Sequence, residues 1–364
     1  MRANGPLQGI RIVEMNALGP VPFCGMMLAD MGADVVRVNR AGDASPLDRL
    51  GASVMLRGRS TVDADLKSET DRAAVLDLIG RADVLIEGFR PGVMERLGLG
   101  PDACHARNPR LVYGRMTGWG QSGPLANRAG HDINYIGLTG ALAAIGNRNE
   151  PPSVPLNLVG DYGGGAMLLL AGVLAGLVEA QRSGRGQVID TAMTDGSALL
   201  MSLFYALHQH GMWQMQRGAN LLDGGTPFYR CYRCADGEYM AVGALEPAFF
   251  AELLKGLDIP AGMIAQNDRS RWPDMERLFA ERFAARTRKE WSEIFEGRDA
   301  CVTPVVSLAE APEHPHNAER GTFQRRDGIV HPAPGPRFSR TPGACTDEIK
   351  SNFAEVMQRW QSAG

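Results

Sequence analysis

Two polar residues in glycine-rich, apolar surroundings are the ones whose setting suggests chemistry: His131 in Gly-His-Asp-Ile-Asn-Tyr (130–135) and Asp161 in Gly-Asp-Tyr-Gly-Gly-Gly (160–165). Asp161 precedes a long run without charge, and His131 precedes a glycine- and leucine-rich helical pattern, so each places a titratable group at a helix start. Asp is a common N-cap, and a carboxylate there is stabilised by the helix dipole. Backbone N–H groups of such a turn can hold an oxyanion, which makes the Asp161 amide and its glycine successors the expected donors. Histidine titrates near neutrality, so one form is a base and the other an acid. On opposite faces of one substrate, such a pair would remove a proton next to a thioester carbonyl and return it from the other side.

The elements that must position this pair begin with an alternation. Strands read at Ile10–Glu14, Ala33–Asn39, Thr61–Asp65, Asp83–Glu87 and Leu111–Met116 alternate with helices at Pro22–Met31, Ser68 to about Ile79, and Gly92–Leu97. Ser68 with Asp71 resembles a capping box. Such alternation predicts a mostly parallel sheet covered by helices. A helix from about Ile133 to Ile145, a loop with Pro151, Pro152 and Pro155, the long helix after Asp161, strand Gln187–Ala192 and a helix from Gly196 to about His210 follow.

From Gly224 the texture changes. Phe228–Arg233 and Glu238–Val242 flank Asp236-Gly237, a hairpin signal, and amphipathic helices follow at about Ala248–Leu257, Trp272–Ala285 and Lys289–Phe295. The predicted fold class is α/β: a large Rossmann-like, doubly wound, mostly parallel sheet domain with a smaller α+β domain. The expected divisions are 1–200 for the large domain, 201–223 for a linker helix region, 224–320 for the small domain and 321–364 for a segment returning to the first.

A chain of 364 residues suits two domains. With 44% hydrophobic and 22% charged residues it can bury a large core. The net charge of −3 argues against general nucleic-acid binding. Six cysteines are too few for a disulfide scaffold, and the amino terminus lacks the apolar core of a signal peptide, so a cytoplasmic location is expected. The uncharged run Tyr162 to Val178 contains Gly172-x-x-x-Gly176 but is shorter than the roughly 20 residues of a membrane span, so none is expected.

Other motifs weaken on inspection. Gly118-Trp-Gly120-Gln-Ser-Gly123 matches a dinucleotide fingerprint in letters, but Pro124 and Gly130 read as loop where that site needs a helix. Cys231-x-x-Cys234 stands alone in a hairpin strand and reads as two ordinary thiols; His208-x-His210 and His314-x-His316 have no ligand companions and read as solvated. No metal is expected. Basic residues recur in the sheet domain: Arg37, Arg40, Arg57, Arg59, Lys67, Arg90 and Arg96. Arg40, Lys67 and Arg90 lie just past strand ends, where open α/β sheets bind ligands, and they favour a polyphosphate site without a P-loop.

Longer segments carry a family resemblance. They include Gly-Ala-Asp-Val-Val-Arg-Val-Asn-Arg (32–40), Ala-Asp-Leu-Lys (64–67), Asp-Val-Leu-Ile-Glu-Gly-Phe-Arg-Pro-Gly (83–92), Gly-His-Asp-Ile-Asn-Tyr (130–135), Gly-Arg-Gly-Gln-Val-Ile-Asp (184–190) and Met-Ala-Val-Gly-Ala-Leu-Glu-Pro (240–247). Together they resemble the α-methylacyl-CoA racemases within the family III CoA-transferase (CaiB/BaiF-like) group. The resemblance implies an acyl-CoA thioester substrate and no cofactor beyond the CoA of the substrate. It implies catalysis by His131 and Asp161 with Glu246 supporting the histidine, in an interlocked homodimer that shares its active sites between chains. It places CoA contacts on Arg40, Ala64, Lys67, Gly88, Arg90 and Arg96, with Gly130, Asp132 and Tyr135 nearer the thioester. The sequence departs from the family at Asn39-Arg40-Ala41, where an Asp-Arg-Pro setting is common, and at Met15-Asn16-Ala17-Leu18 and Cys24.

Two reactions suit that pattern. One is racemisation of 2-methylacyl-CoA thioesters through an enolate. The other is transfer of CoA between carboxylic acids with Asp161 as nucleophile. Relatives doing the latter carry a Gly-rich loop where this chain has Gly-Ala-Leu-Glu-Pro (243–247), which favours racemisation.

Overall fold

The computed structural model describes residues 5–40, 53–260 and 262–362. Ala41 and the extreme ends of the chain lie outside them. The chain divides into two compact units: Met1–Ala141, Pro155–Ser202 and Gly321–Gly364 form one, and Leu142–Val154 with Leu203–Arg320 form the other. Residues 203–223, expected as a linker, and the loop 142–154, expected with the large domain, both belong to the second unit.

The first unit is built on one sheet of seven strands. β1 (Arg11–Met15), β2 (Asp34–Arg40), β3 (Arg59–Ala64), β4 (Val84–Glu87), β5 (Val112–Thr117) and β6 (Val188–Ala192) are joined by the short strand Ile349–Lys350. Their spatial order is Ile349–Lys350, β3, β2, β1, β4, β5, β6, and every pairing is parallel. Strands buried on both faces need near-continuous apolar runs. β4 is buried throughout, and β2 is buried along its middle. Helices Pro20–Asp30 and Met167–Ser183 cover one face through Leu28, Leu169 and Val173; helices Glu69–Ile79 and Phe353–Ser362 cover the other through Val75, Leu78 and Trp360. The return segment thus adds both an edge strand and a covering helix to the first unit.

Three of the recurrent arginines, none of them among the three expected just past strand ends, are structural. Arg37 and Arg59 are fully buried beside Glu14: Arg59 Nε donates to Glu14 Oε2 at 2.8 Å, and Arg37 Nη2 donates to Asn16 Oδ1 at 2.8 Å. Arg57 forks onto Asp30, Nε to Oδ1 at 3.0 Å and Nη2 to Oδ2 at 2.5 Å. Spacing alone does not separate an arginine that ends a strand from one whose side chain turns into the helix layer.

Helix boundaries also differ. The expected helix from Ile133 to Ile145 is two short ones, Asp132–Gly137 and Ala141–Ala144, separated where Gly140 takes φ 77°. The expected helix from Gly196 to His210 breaks at Met201 into Met193–Leu200 and Ser202–Gln209. Asp161 does not cap a helix. It lies inside a π-helix, Leu158–Ala166, that runs directly into Met167–Ser183. The combined helix has 26 residues and is long and apolar enough to cross a membrane by length and composition, so the shortness expected of this segment is corrected. Half of its most apolar stretch is buried within the protein, with Gly176 against Val112 and Gly172 against Ile189 of the sheet.

The second unit holds an antiparallel sheet of β7 (Tyr229–Arg233), β8 (Tyr239–Gly243) and β9 (Val302–Pro304) in that order. Gly237 makes the hairpin turn at φ 85°. Helices Pro247–Gly256, Trp272–Ala284 and Arg288–Phe295 pack an aromatic core of Phe228, Phe250, Phe279, Phe283 and Trp291. A final hairpin, β10 (Phe323–Arg326) and β11 (Ile329–Pro332), belongs to the first unit.

Candidate active site

The strand order reverses at β1, whose neighbours are β2 on one side and β4 on the other. Ligands of open α/β sheets bind at such a switch point, beyond the carboxyl ends of the strands. A cavity of about 480 Å³ lies there, a size in the usual range for small-molecule sites. Its walls are the segments that leave β1 (Ala17–Val21), β4 (Gly88–Pro91) and β5 (Met116–Trp119), the loop 126–131, Tyr135, Asp161 and Met193.

The cavity brings His131 and Asp161 together although 29 residues separate Asp132 from the Asp161 amide it binds. His131 sits in extended conformation just before helix Asp132–Gly137, its N–H donating to Asn134 Oδ1 at 3.0 Å. It is exposed on the cavity rim, not sheltered among apolar side chains as its neighbours in sequence suggested. Asp161 is half-buried, and Asn157, one π-turn earlier, donates Nδ2 to Asp161 Oδ2 at 3.0 Å. Gly19, with φ 69°, lies against the same oxygen, and a Cβ there would stand 3.0 Å from it. Burial pushes the Asp161 carboxyl above the ordinary carboxylate range; the Asn157 hydrogen bond opposes this, the nearby charge of Asp132 adds to it, and His131 opposes it. π-turns inside helices are concentrated at functional sites, and here the extra residue per turn carries the carboxylate.

Asp132, placed near the thioester by the family resemblance, lies outside the lining of this cavity. It is buried, and its Oδ2 accepts the Asp161 N–H at 2.7 Å. Gly160 makes room, since a Cβ there would stand 2.5 Å from that oxygen. The Asp161 amide is therefore engaged and cannot serve as the oxyanion donor that the sequence suggested. The reason lies in tertiary structure: a helix start leaves its amides open, but this one is the interior of a π-helix with a carboxylate docked on it.

Tyr135 and Gly130 sit together on the cavity wall. The Tyr135 hydroxyl donates to the Gly130 carbonyl, and its ring meets Trp119 edge-on with centroids 4.8 Å apart. Burial raises the Tyr135 phenol, and the charge of Asp161 raises it further. Gly118 is pressed against the Tyr135 ring, so a side chain at 118 would overlap it. The Gly118–Gly123 motif is thus a loop with Gly120 at φ 90° and Gly123 at φ 96°, and its close approach to Tyr135 explains the glycine better than a dinucleotide does.

Of the residues assigned to CoA, Gly88 and Arg90 line this cavity. Arg40 and Ala64 end β2 and β3 and are paired in register, with Lys67 exposed just beyond; they mark the carboxyl edge of the sheet on the β2–β3 side and are not part of the cavity wall. Arg96 is exposed on the short helix Val93–Arg96, also outside the wall. Glu246 belongs to the second unit, exposed at the start of helix Pro247–Gly256. Sequence reasoning missed Arg128, Trp119, Asn157 and Met193. Arg128 was findable, being a cation in the loop just ahead of Gly-His-Asp; with Arg90 it gives the lining two guanidinium groups beside the Asp161 carboxyl. Among the described residues, no three His, Cys, Asp or Glu side chains are grouped to hold a metal ion.

Below the loop at Gly88 a buried ion network holds its backbone. Glu87 Oε2 accepts the Phe89 N–H at 2.7 Å, and Glu87 Oε1 accepts Arg115 Nε at 3.1 Å. Arg115 Nη1 and Nη2 fork onto Glu95 at 2.8 and 3.2 Å. Burial pushes Glu87 up to about 7, with the Phe89 amide and Arg115 opposing.

The comparisons with known proteins agree with one another. The α-methylacyl-CoA racemase of Mus musculus is 48% identical over 339 residues, spanning 92% of this chain and 87% of the relative. The α-methylacyl-CoA racemase of Homo sapiens is 46% identical over 360 residues, spanning 95% and 93%. A crystal structure of a CaiB/BaiF family protein from Brucella suis shares the fold, with a TM-score of 0.81 at 24% identity over 99% of this chain and 100% of that one. Residues 7–348 match the profile of CoA-transferase family III, and the chain belongs to that family.

Proposed function

We propose that this protein is an isomerase, an α-methylacyl-CoA racemase that interconverts (2R)- and (2S)-2-methylacyl-CoA thioesters by two-base 1,1-proton transfer through an enolate. The observation that carries the reading is the meeting of His131 and Asp161 on one cavity at the sheet's switch point. The high identity to relatives named racemase supports it. In one direction the Asp161 carboxylate takes the α-proton while the His131 imidazolium delivers a proton to the other face; the next turnover runs with the roles exchanged. A raised proton affinity makes Asp161 a stronger base and leaves more of it protonated for the return step. The guanidinium groups of Arg90 and Arg128 give the enolate a favourable potential in the same cavity.

In this reading Arg40, Ala64, Lys67, Gly88, Arg90 and Arg96 hold the CoA portion, with Gly130, Asp132 and Tyr135 nearer the thioester. The enzyme works in the cytoplasm as a homodimer, without a metal or redox cofactor, and Glu246 supports His131 across the dimer. Support for the dimer comes from uncovered apolar residues in each unit: Leu156, Leu199 and Leu200 in one, Met212 and Met215 in the other, where helix Ser202–Gln209 buries no residue at all. Incubating one enantiomer of a 2-methylacyl-CoA and separating the products chirally should give a mixture approaching equal parts. Retention of configuration, with CoA moved onto an added carboxylate, would replace this reading with CoA transfer. That second reaction has one observation in its favour: the Asp161 carboxylate opens onto the cavity, where it would attack the thioester carbonyl and expel the CoA thiolate to give an anhydride. The thiolate would then attack the aspartyl carbonyl of that anhydride, releasing the donor carboxylate and leaving an aspartyl-CoA thioester. A hydroxylamine-sensitive CoA adduct on Asp161 would identify it.

A further inference from the structure

Asp132 is only 6% exposed, yet among the described residues it makes one hydrogen bond where a carboxylate has room for several. Its Oδ1 is buried without a partner among the described residues. A buried, half-satisfied carboxylate is expensive, and a neutral Asn of the same shape would accept the Asp161 N–H equally well. What Asn would lack is the charge. We infer that Asp132 is a positioning residue for the proton transfer, whose carboxylate locks the Asp161 π-turn through the Asp161 amide and sets a second carboxylate beside the first. The inference rests on the racemase reading for its kinetic consequence only; the lock and the charge are properties of the unliganded protein.

The local geometry is specific to this pairing. Gly160 leaves space for the carboxylate, and Gly164 packs closely on Gly196 and Ser197, where a Cβ would stand 2.7 Å from the Ser197 nitrogen. The other charged groups on the elements around the π-turn are engaged or remote. On helix Pro20–Asp30, Asp30 is paired with Arg57 at the far end; on β5, Arg115 is held by Glu87 and Glu95. On β6, Asp190 accepts the Gln121 N–H; on helix Met193–Leu200, Asp195 points to solvent. Glu179 and Arg182 lie exposed near the far end of Met167–Ser183. Arg90 and Arg128 line the same cavity as Asp161, and Asp132 and His131 are the charges that shift its carboxyl, in opposite directions.

Two variants separate the lock from the charge. Asp132→Asn keeps an acceptor for the Asp161 amide; Asp132→Ala removes both. The Asp161 carboxyl is followed in the ligand-free protein as the infrared carboxyl band that disappears in Asp161→Asn. In Asp132→Asn its midpoint should move to lower pH, its proton affinity falling about tenfold for a lost like charge. In the same variant, inversion should show the matching acid-side displacement of its pH profile with KM changed less than about twofold, whereas Asp132→Ala should lose at least about tenfold in kcat beyond that. An Asp161 band that titrates alike in wild type and Asp132→Asn overturns the inference, whether or not the protein racemises anything. A normal band displacement without any inversion in wild type leaves the inference standing and removes the racemase reading instead.

Discussion

At the scale of single residues, the account makes His131 and Asp161 jointly necessary. Each supplies one face, so His131→Ala and Asp161→Ala should each lower the inversion rate by at least about 10²-fold, the usual worth of a positioned acid or base. Acyl-CoA binding, measured by calorimetry, should weaken only a few-fold in either variant. A variant that inverts at near wild-type rate would remove that residue from the chemistry. The pair was legible in the sequence because both residues interrupt apolar, glycine-rich runs. The task of Asp132 was not, because it depends on a contact with an amide 29 positions away and on an unforeseen π-turn. Nor was the burial of Arg37, Arg57 and Arg59, whose carboxylate partners Glu14 and Asp30 lie 23 or more positions off in sequence.

At the scale of elements, the strands set the cavity and the network at the end of β4 holds its wall. Glu87 there binds its proton up to about pH 7 when folded, against an ordinary value of 4.5. The folded state therefore holds more protons than the unfolded one between about 4.5 and 7, and the stability contributed by this group falls as pH rises through that window. Chemical denaturation across the window should show wild type losing stability relative to Glu87→Gln as pH increases. A relative gain with rising pH would contradict the assignment. The alternation of strands and helices in the first 120 residues was legible, since apolar β-branched runs bounded by Gly and Asp leave few alternatives. Gly140, which takes φ 77°, marked the break between the two short helices, whereas the break at Met201 was not legible, since neither a proline nor a glycine stands there.

At the scale of the whole molecule, the family membership, the parallel sheet and the position of the cavity support the proposed use of the fold, in which a thioester sits at the switch point between two bases borne on different elements. The family also contains CoA-transferase chemistry in its very description, and both reactions would draw on the same carboxylate. What distinguishes them is the fate of the α-proton, which racemisation must exchange and transfer leaves in place. The most direct measurement starts from a single enantiomer of a 2-methylacyl-CoA in deuterated buffer and follows label and configuration together at early times. Two bases on opposite faces predict that inverted product carries deuterium at the α-carbon from the first turnover. Inverted product that retains the original proton, or substrate that is neither inverted nor labelled, would contradict the account.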